Sequence, residues 1–257
     1  MATAQGLFVT GTDTGVGKSV IACAIICLLR EHGVDAVGFK PVATGVAAGI
    51  WSDAVLLHEA SGKCEPIEKI CPLRFNLPLA PTLAARVEGV EPDMDIARGV
   101  LARFCERHAT VVIEGTGGIL SPLDRKTLVA DFAAQVGFPV LVVCKAGLGT
   151  ISQTLLTLRE IERSKMDVAG IIMNTTNWAD TPLAIGAKEE IERISGNKVV
   201  AIVPHMRSDD VHDPRHSQLV ARIIASLVQQ IDVRTMLGSE GTRNKASSRF
   251  RRRRASD

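Results

Sequence analysis

The sequence predicts an α/β protein, a single P-loop domain with a mainly parallel β-sheet that helices cover on both faces. Short continuous apolar runs alternate with longer helical patterns about six times, which is typical of successive strand–helix units. A glycine-rich segment joins the first apolar run to the first helical pattern. In addition, 46% of the 257 residues are hydrophobic, which is enough to fill a large core.

The first unit combines a predicted strand at Leu7–Val9, a Gly- and Thr-rich loop, and an apolar helix over Val20–Leu29. The loop resembles a P-loop, in which backbone N–H groups surround phosphate, a lysine reaches the outer phosphates and a hydroxyl ligates Mg²⁺. Its spacing is a variant, because Thr12 stands where the usual motif has glycine. A glycine-rich turn without a ligand is the alternative. The predicted nucleotide-binding residues are Thr12, Asp13, Thr14, Gly15, Val16, Gly17, Lys18 and Ser19.

The second predicted strand, Asp35–Lys40, stops before Pro41 and is followed by a predicted loop over residues 41–45. The carboxyl ends of parallel strands share one edge of a sheet, where α/β proteins bind ligands. We therefore expect Lys40 and Thr44 to lie at the same edge as Lys18 and to hold anionic oxygens. The alternative for Lys40 is a lysine that ends a strand in water.

A helix is predicted over Trp51–Ala60, with Ser52 as its N-cap and Asp53 in its first turn. Capping alone could explain Asp53, and a position at the ligand site is the other interpretation. Residues 61–92 contain five prolines and little periodicity. This composition predicts an extended excursion from the domain, that is, a segment without regular structure except for one short helix over residues 82–87. The segment could form one wall of a substrate pocket.

After a predicted amphipathic helix over Asp95–Arg107, an apolar strand over Ala109–Glu114 ends in a carboxylate and opens into a glycine-rich loop. In a P-loop protein, an acidic residue at such a strand end binds or orients Mg²⁺. We predict this role for Glu114, and a solvated residue at the sheet edge is the alternative.

The rest of the chain continues the alternation. The start of the helix at Thr150, the predicted N-cap, offers free N–H groups to an anion, as every helix start does. The remaining predicted elements are the helix Leu128–Val136, the strand Pro139–Cys144, the helix Thr150–Arg163, the strand Val168–Met173 leading to Asn174, the helix Lys188–Ile194, the strand Val199–Val203 before Pro204, and the closing helix His216–Val233.

These elements predict one domain over residues 1–237 and a disordered basic tail over 238–257. The tail holds seven Lys/Arg and two Asp/Glu, a balance of +5, so the net charge of +2 leaves −3 for the rest. One arginine block without interleaved aromatics does not predict a nucleic-acid partner.

The six cysteines form no CxxC motif, and reduced thiols are favoured over a metal or redox site. No apolar run approaches the roughly 18 residues of a membrane span, and the first residues lack the pattern of a signal peptide. The sequence thus predicts a cytoplasmic location and no membrane partner.

Four segments together resemble the dethiobiotin synthetase family, ATP-dependent enzymes that close the ureido ring in biotin synthesis. KPVATG after the second strand is the most specific of them, because many P-loop proteins share the first. The segments are GTDTGVGKS at 11–19, KPVATG at 40–45, SDA at 52–54 and EGTGG at 114–118 followed by Pro122.

The resemblance implies ATP, CO₂ and 7,8-diaminononanoate as substrates, Mg²⁺ as cofactor and a homodimer with composite sites. It implies catalytic roles for Lys18, Lys40 and Thr44, the last two contacting the carbamate and the γ-phosphate. Further implied roles are Mg²⁺ binding by Ser19, Asp53 and Glu114, base recognition by Asn174 and Pro204, and binding of the substrate carboxylate by Gly117, Gly118 and, from the partner subunit, Thr150, Ile151 and Ser152.

Three positions depart from the family pattern: Gly15 where some members have glutamate, Thr82 where histidine is frequent, and Thr116 where a small alanine is usual. Two other functions are considered. A cobyrinate-type amidating ligase would need an attached amidotransferase domain. A partitioning-type switch ATPase carries a signature lysine early in the P-loop, where this chain has Asp13.

Overall fold

The computed structural model describes residues 4–46, 51–175 and 181–203. Strands and helices alternate along most of this part of the chain. The strands are β1 Gln5–Gly11, β2 Ala36–Phe39, β3 Val42–Thr44, β4 Leu73–Phe75, β5 Thr110–Gly118, β6 Val140–Lys145, β7 Val168–Asn174 and β8 Val199–Val203. The helices are α1 Lys18–Glu31, α2 Ser52–Ala60, α3 Ile67–Ile70, α4 Pro81–Val87, α5 Met94–Arg107, α6 Val129–Val136, α7 Thr150–Arg163 and α8 Thr181–Ser195.

Six of the strands form one sheet in the order β2-β5-β1-β6-β7-β8, and every neighbouring pair in it is parallel. β1 lies near the middle, between β5 and β6. The P-loop that follows β1 therefore emerges at the carboxyl edge of the sheet, between the ends of these two neighbours. This architecture confirms the predicted fold class.

Side-chain contacts cover the sheet on both faces. Phe8 and Phe39 both lie in register with Ile113, and on that face the ring of Phe39 is 5.8 Å from Phe104 of α5, centroid to centroid. Gly38 belongs to the opposite face, because successive residues of a strand alternate. A Cβ at Gly38 would come within 2.9 Å of Ile26 of α1 and 3.0 Å of Leu57 of α2. The two helices thus pack directly on the backbone there.

A second, two-stranded sheet was not predicted. The predicted loop at 41–45 contains β3, which pairs in parallel with β4 from inside the predicted excursion at 61–92. The short helix α3 precedes β4. Strands of three residues are too short to show alternation. The prolines of the excursion also argued against a strand, because proline is rare inside strands.

Several predicted boundaries were wrong by a residue or more. Trp51, not Ser52, caps α2, and Gly149, not Thr150, caps α7 with a left-handed φ of 89°. β5 runs past Glu114 to Gly118, because Gly118 still pairs with Gly11 of β1. α8 begins at Thr181, well before the predicted start, because helical spacing alone does not mark a helix end.

Pro204, the predicted closing helix His216–Val233 and the predicted tail at 238–257 lie outside the described residues. Within the described ranges, no helix is long and apolar enough to cross a membrane. None of the six cysteines, all of which lie within the described ranges, forms a disulfide. Cys23, Cys71 and Cys144 are buried, whereas Cys64 is exposed.

Candidate active site

The P-loop turns into α1 through a glycine that no other residue could replace without strain. Gly17 has a φ of 98°, and a Cβ there would lie 2.3 Å from Asn174 Nδ2 at the end of β7. Within the described chain, no side chain caps α1, so its first N–H groups are available to an anion. The local geometry therefore suits phosphate.

Lys18 is the first residue of α1 and is 6% exposed. Its ammonium group donates a hydrogen bond to the Asp13 carbonyl at 2.8 Å, so the side chain folds back over the loop. Burial, together with the positive charge of Lys40, lowers the pKa of Lys18 to about 8. A phosphate in the loop would offer this ammonium group an anionic acceptor in place of the Asp13 carbonyl.

A second lysine, Lys40, lies beside the carboxylates of Glu114 and Asp53, because side chains alternate along β2 and β5. Lys40 lies two residues after Gly38, and Glu114 lies two residues after Val112, the register partner of Gly38, so both are on the face that α1 and α2 cover. Lys40 Nζ is 2.7 Å from Glu114 Oε1 and 3.0 Å from Asp53 Oδ2 in the first turn of α2. The structure thus brings together Lys40 and Glu114, which the sequence predicted at the sheet edge, and Asp53, for which a position at the ligand site was one of two interpretations.

Burial and neighbouring charges have opposite effects on the pKa values of Lys40 and Asp53. Burial tends to lower the pKa of Lys40, but the carboxylates of Asp53 and Glu114 outweigh it and raise the pKa above its ordinary value. Burial raises the pKa of Glu114, which is fully enclosed. For Asp53 the effect of burial is outweighed by Lys40 and Ser19, and its pKa is lowered. Lys40 is therefore a fixed positive charge at neutral pH.

The oxygen atoms of this group suit a divalent cation. Ser19 Oγ lies 2.8 Å from both Asp53 Oδ1 and Glu114 Oε1, yet a hydroxyl has only one proton to donate. Glu114 Oε2 is buried and has no hydrogen-bond partner among the described residues. One hydroxyl and two carboxylates are the hard oxygen ligands that Mg²⁺ prefers, so these residues fit the ion.

Comparison with known proteins assigns the chain to a family. A family model described as an AAA domain matches residues 5–212. The ATP-dependent dethiobiotin synthetase BioD of Anaeromyxobacter dehalogenans strain 2CP-C is 46% identical over 227 residues, which cover 88% of this chain and 99% of that protein. The chain belongs to the dethiobiotin synthetase family. The protein of the same name from Bacillus subtilis strain 168 is 34% identical over 79% of this chain and 88% of its own length.

Solved structures with a similar fold are more distant than these members of the dethiobiotin synthetase family. The MinC:MinD cell division protein complex of Aquifex aeolicus matches with a TM-score of 0.59 at 14% identity, over 92% of this chain and 97% of that chain. A ParA family ATPase from Chlorobium tepidum TLS gives 0.52 at 15% identity, over 91% and 99%. At such identities the likeness concerns the fold alone.

Other residues that the resemblance to dethiobiotin synthetases singles out lie at the ends of β3, β5 and β7. Thr44 ends β3 and is partly exposed. Gly117 has a φ of 67°, and the Gly118 N–H donates to Ser121 Oγ at 2.9 Å, so the loop itself uses that amide. Asn174 Nδ2 donates to the Val16 carbonyl at 3.1 Å and so contacts the P-loop directly.

Thr150, Ile151 and Ser152 begin α7, which follows β6 on the opposite side of β1 from β5 and β2. Thr150 is buried, Ile151 is partly exposed and Ser152 is exposed. The strand order separates this helix start from Lys40 and Glu114 of the same chain. This separation is compatible with the expectation that a partner subunit supplies it.

Two contacts of this dethiobiotin synthetase family member were missed from the sequence. Trp51 donates from Nε1 to the Phe75 carbonyl at 3.0 Å, with the Arg74 guanidinium 5.1 Å from its ring, which anchors the start of α2 on β4. Thr116 donates from its hydroxyl to the Val42 carbonyl. No signal in the sequence indicated either contact, because the two acceptor carbonyls lie in β4 and β3, strands that were not predicted.

Proposed function

We propose that this chain is a Mg²⁺-dependent dethiobiotin synthetase that uses ATP to join CO₂ to 7,8-diaminononanoate, closing the ureido ring of dethiobiotin. The observation that carries the proposal is the contact of Lys40 with both Asp53 and Glu114 beside an uncapped P-loop helix. It occurs in a chain 46% identical to a protein named for this activity.

The chemistry requires two anions to meet. One amine of the substrate adds to CO₂ and loses a proton, which gives a carbamate. A carbamate oxygen attacks the γ-phosphorus of ATP, and ADP leaves. The second amine attacks the carbonyl carbon of the resulting mixed anhydride, loses a proton and expels phosphate, which closes the ring. The attack of one anion on another makes positive charge and positioning the main catalytic needs.

The P-loop residues 12–18 would surround the triphosphate and hold it through N–H groups. The Thr12 N–H is not one of them, because it donates to the Val143 carbonyl at 3.0 Å, and the Thr14 N–H would have to leave Asp13 Oδ1. Lys18 would exchange its hydrogen bond to the Asp13 carbonyl for one to a phosphate oxygen, because that carbonyl is a weaker partner than an anion. Lys40 and Thr44 would face the carbamate and γ-phosphate oxygens. Asn174, already against the P-loop, would contact the base. The resemblance assigns the same role to Pro204.

Ser19, Asp53 and Glu114 would hold Mg²⁺ directly or through its water shell. The ion would neutralise phosphate charge during transfer. Lys40 would remain close to the same carboxylates and add a second positive charge next to the reacting oxygens. The mechanism needs no nucleophilic side chain or general-base histidine, and none of the six histidines lies in the four motif segments.

The distal carboxylate of the diamine needs its own anion site, because the amines lie at the other end of a long chain. We propose a homodimer in which residues 150–152 of one subunit and Gly117 and Gly118 of the other form it. The Gly118 N–H, which now donates to Ser121 Oγ, would have to leave this hydroxyl to bind the carboxylate. Leu148, in the loop before this helix start, is fully exposed in the single chain. An apolar side chain in that position suits a subunit contact.

The test is an assay with 7,8-diaminononanoate, bicarbonate, Mg²⁺ and ATP that measures dethiobiotin and ADP. We expect both products in equal amounts, and neither when any one of the four components is left out. ATP hydrolysis without the diamine, stimulated by DNA or lipid vesicles, would contradict the proposal and would support a switch ATPase of the partitioning type.

A further inference from the structure

The backbone ladder between β2 and β5 ends just before the site. The last register pair is Phe39 with Ile113. The next N–H group, that of Lys40, turns away and donates to the Ile70 carbonyl at 2.8 Å, and Pro41 has no N–H to offer. Among the described residues, the segment that carries Lys40 and Thr44 therefore makes no further backbone hydrogen bonds to β5 as it leaves the main sheet.

A side chain supplies the next link. Val42 and Thr116 each lie three residues beyond the last register pair, and the Thr116 hydroxyl donates to the Val42 carbonyl. Val42 is fully buried and Thr116 is 9% exposed, so water competes little for this bond. It joins β3, which otherwise pairs only with β4, to the main sheet.

The local shape of β5 makes this link specific. Val9 pairs with Glu114 and Gly11 with Gly118, so β5 holds two more residues than β1 over this stretch and bulges there. Within the bulge, Thr116 stands between two glycines and is the only residue with a side chain. The hydroxyl is thus the polar side-chain group that fixes the bulge against β3.

We propose that Thr116 is a positioning residue: its hydrogen bond to Val42 holds the segment from Lys40 to Thr44 in place against Glu114. Thr116 lies two residues from Glu114, and Val42 lies two residues from both Lys40 and Thr44. The inference rests on the proposed function, since it assigns Lys40 and Thr44 to the reacting oxygens. Loss of the bond should misplace these groups and leave the P-loop unchanged.

The test compares Thr116→Val, Thr116→Ala and Thr116→Ser in steady-state kinetics and nucleotide binding. Valine and alanine lack the hydroxyl, and we expect kcat/KM for the diamine to fall about tenfold, the loss of one buried hydrogen bond. The Kd for ATP should stay within about twofold of wild type. Serine keeps the hydroxyl and should recover most of the activity.

Thr157→Val is the matched control, because Thr157 is also buried and donates its hydroxyl to a carbonyl, that of Gln153, within α7. We expect it to lower the melting temperature without changing the kinetics. Thr116→Ala keeps the proposal testable if valine prevents folding, since alanine places no methyl group against the Val42 carbonyl.

A double-mutant cycle with Thr44→Val identifies the group through which Thr116 acts. If Thr116 positions Thr44, the double variant should lose less than the product of the two single losses. Four results would each overturn the inference. The first two are independent losses of kcat/KM in the cycle and wild-type kinetics for Thr116→Val. The others are a serine variant as poor as valine and equal losses of ATP and diamine binding. If the wild-type protein forms no dethiobiotin, the proposed function fails first. If the wild-type protein forms dethiobiotin and the Thr116 variants show the same kinetics, the proposed function stands and only the positioning role fails.

Discussion

Lys40 Nζ and Glu114 Oε1 lie 2.7 Å apart, and the two side chains are 3% and 1% exposed. Each charge has lost its water and depends on the other, with Asp53 as the more exposed third member. Removing one partner from such a pair leaves a buried charge without compensation. The arrangement therefore holds the Lys40 ammonium at one point, as a group aimed at developing charge requires.

The two lysines should have separable effects. Lys40→Ala should lower kcat by a factor on the order of a hundred or more, because it removes a charge beside the reacting oxygens. Its Kd for ATP should remain within a few-fold of wild type. Lys18→Ala should weaken ATP binding and abolish turnover. Kinetics and calorimetric titration measure both effects, and Lys63→Ala, a change at an exposed lysine, is the control. Near-wild-type turnover by Lys40→Ala would refute its role.

The metal requirement should depend on Glu114. Glu114→Gln keeps the shape of the side chain but removes its charge, so the Mg²⁺ concentration for half-maximal turnover should rise at least tenfold. Glu59→Gln changes a carboxylate that pairs with Lys63 and should leave the Mg²⁺ titration unchanged. An identical Mg²⁺ dependence in Glu114→Gln and wild type would show that Glu114 does not contribute to the metal site.

The positions of site residues could be predicted from the sequence where a single physical rule determines them. Parallel strands bring their carboxyl ends to one edge, so the positions of Lys18, Lys40 and Glu114 followed from three strand ends. Other features depend on contacts between distant parts of the chain. Thr116 and Val42 are 74 residues apart, and Asn174 and Val16 are 158 apart. No local pattern records such pairs.

Short elements and helix caps could also not be predicted from the sequence. β3 and β4 have three residues each, which is too few for alternation to show. Threonine is a common N-cap, so Thr150 was the reasonable choice, but the left-handed Gly149 took that position. The Trp51 anchor on Phe75 escaped prediction because its partner strand was not recognised.

Nucleotide affinity should fall above pH 8. In the free protein, burial and the neighbouring Lys40 lower the pKa of Lys18 to about 8, and a bound phosphate would raise it again. Binding then requires uptake of a proton above pH 8, so the affinity for ATP should fall by up to about tenfold per pH unit. Titrations from pH 7 to 9.5 measure this slope. It should vanish in Lys18→Met, and a slope that is the same in this variant would exclude Lys18 as its source.

The composite site predicts complementation between subunits. Ile151→Glu places a negative charge where the substrate carboxylate should bind, so KM for the diamine should rise while ATP affinity stays nearly unchanged. When this variant is mixed with inactive Lys18→Ala and the subunits exchange, one site of each heterodimer carries neither change, and activity should return. A fully active monomer, or no recovery after verified exchange, would contradict the shared site.

The origin of one oxygen atom tests the central claim most directly, because the carbamate and not water is the proposed attacking group. The reaction is started with ¹⁸O-labelled bicarbonate and stopped before the label exchanges with water, and the released phosphate is analysed by mass spectrometry. We predict that each phosphate carries one ¹⁸O atom derived from bicarbonate. Phosphate that acquires its new oxygen from water instead would contradict the account.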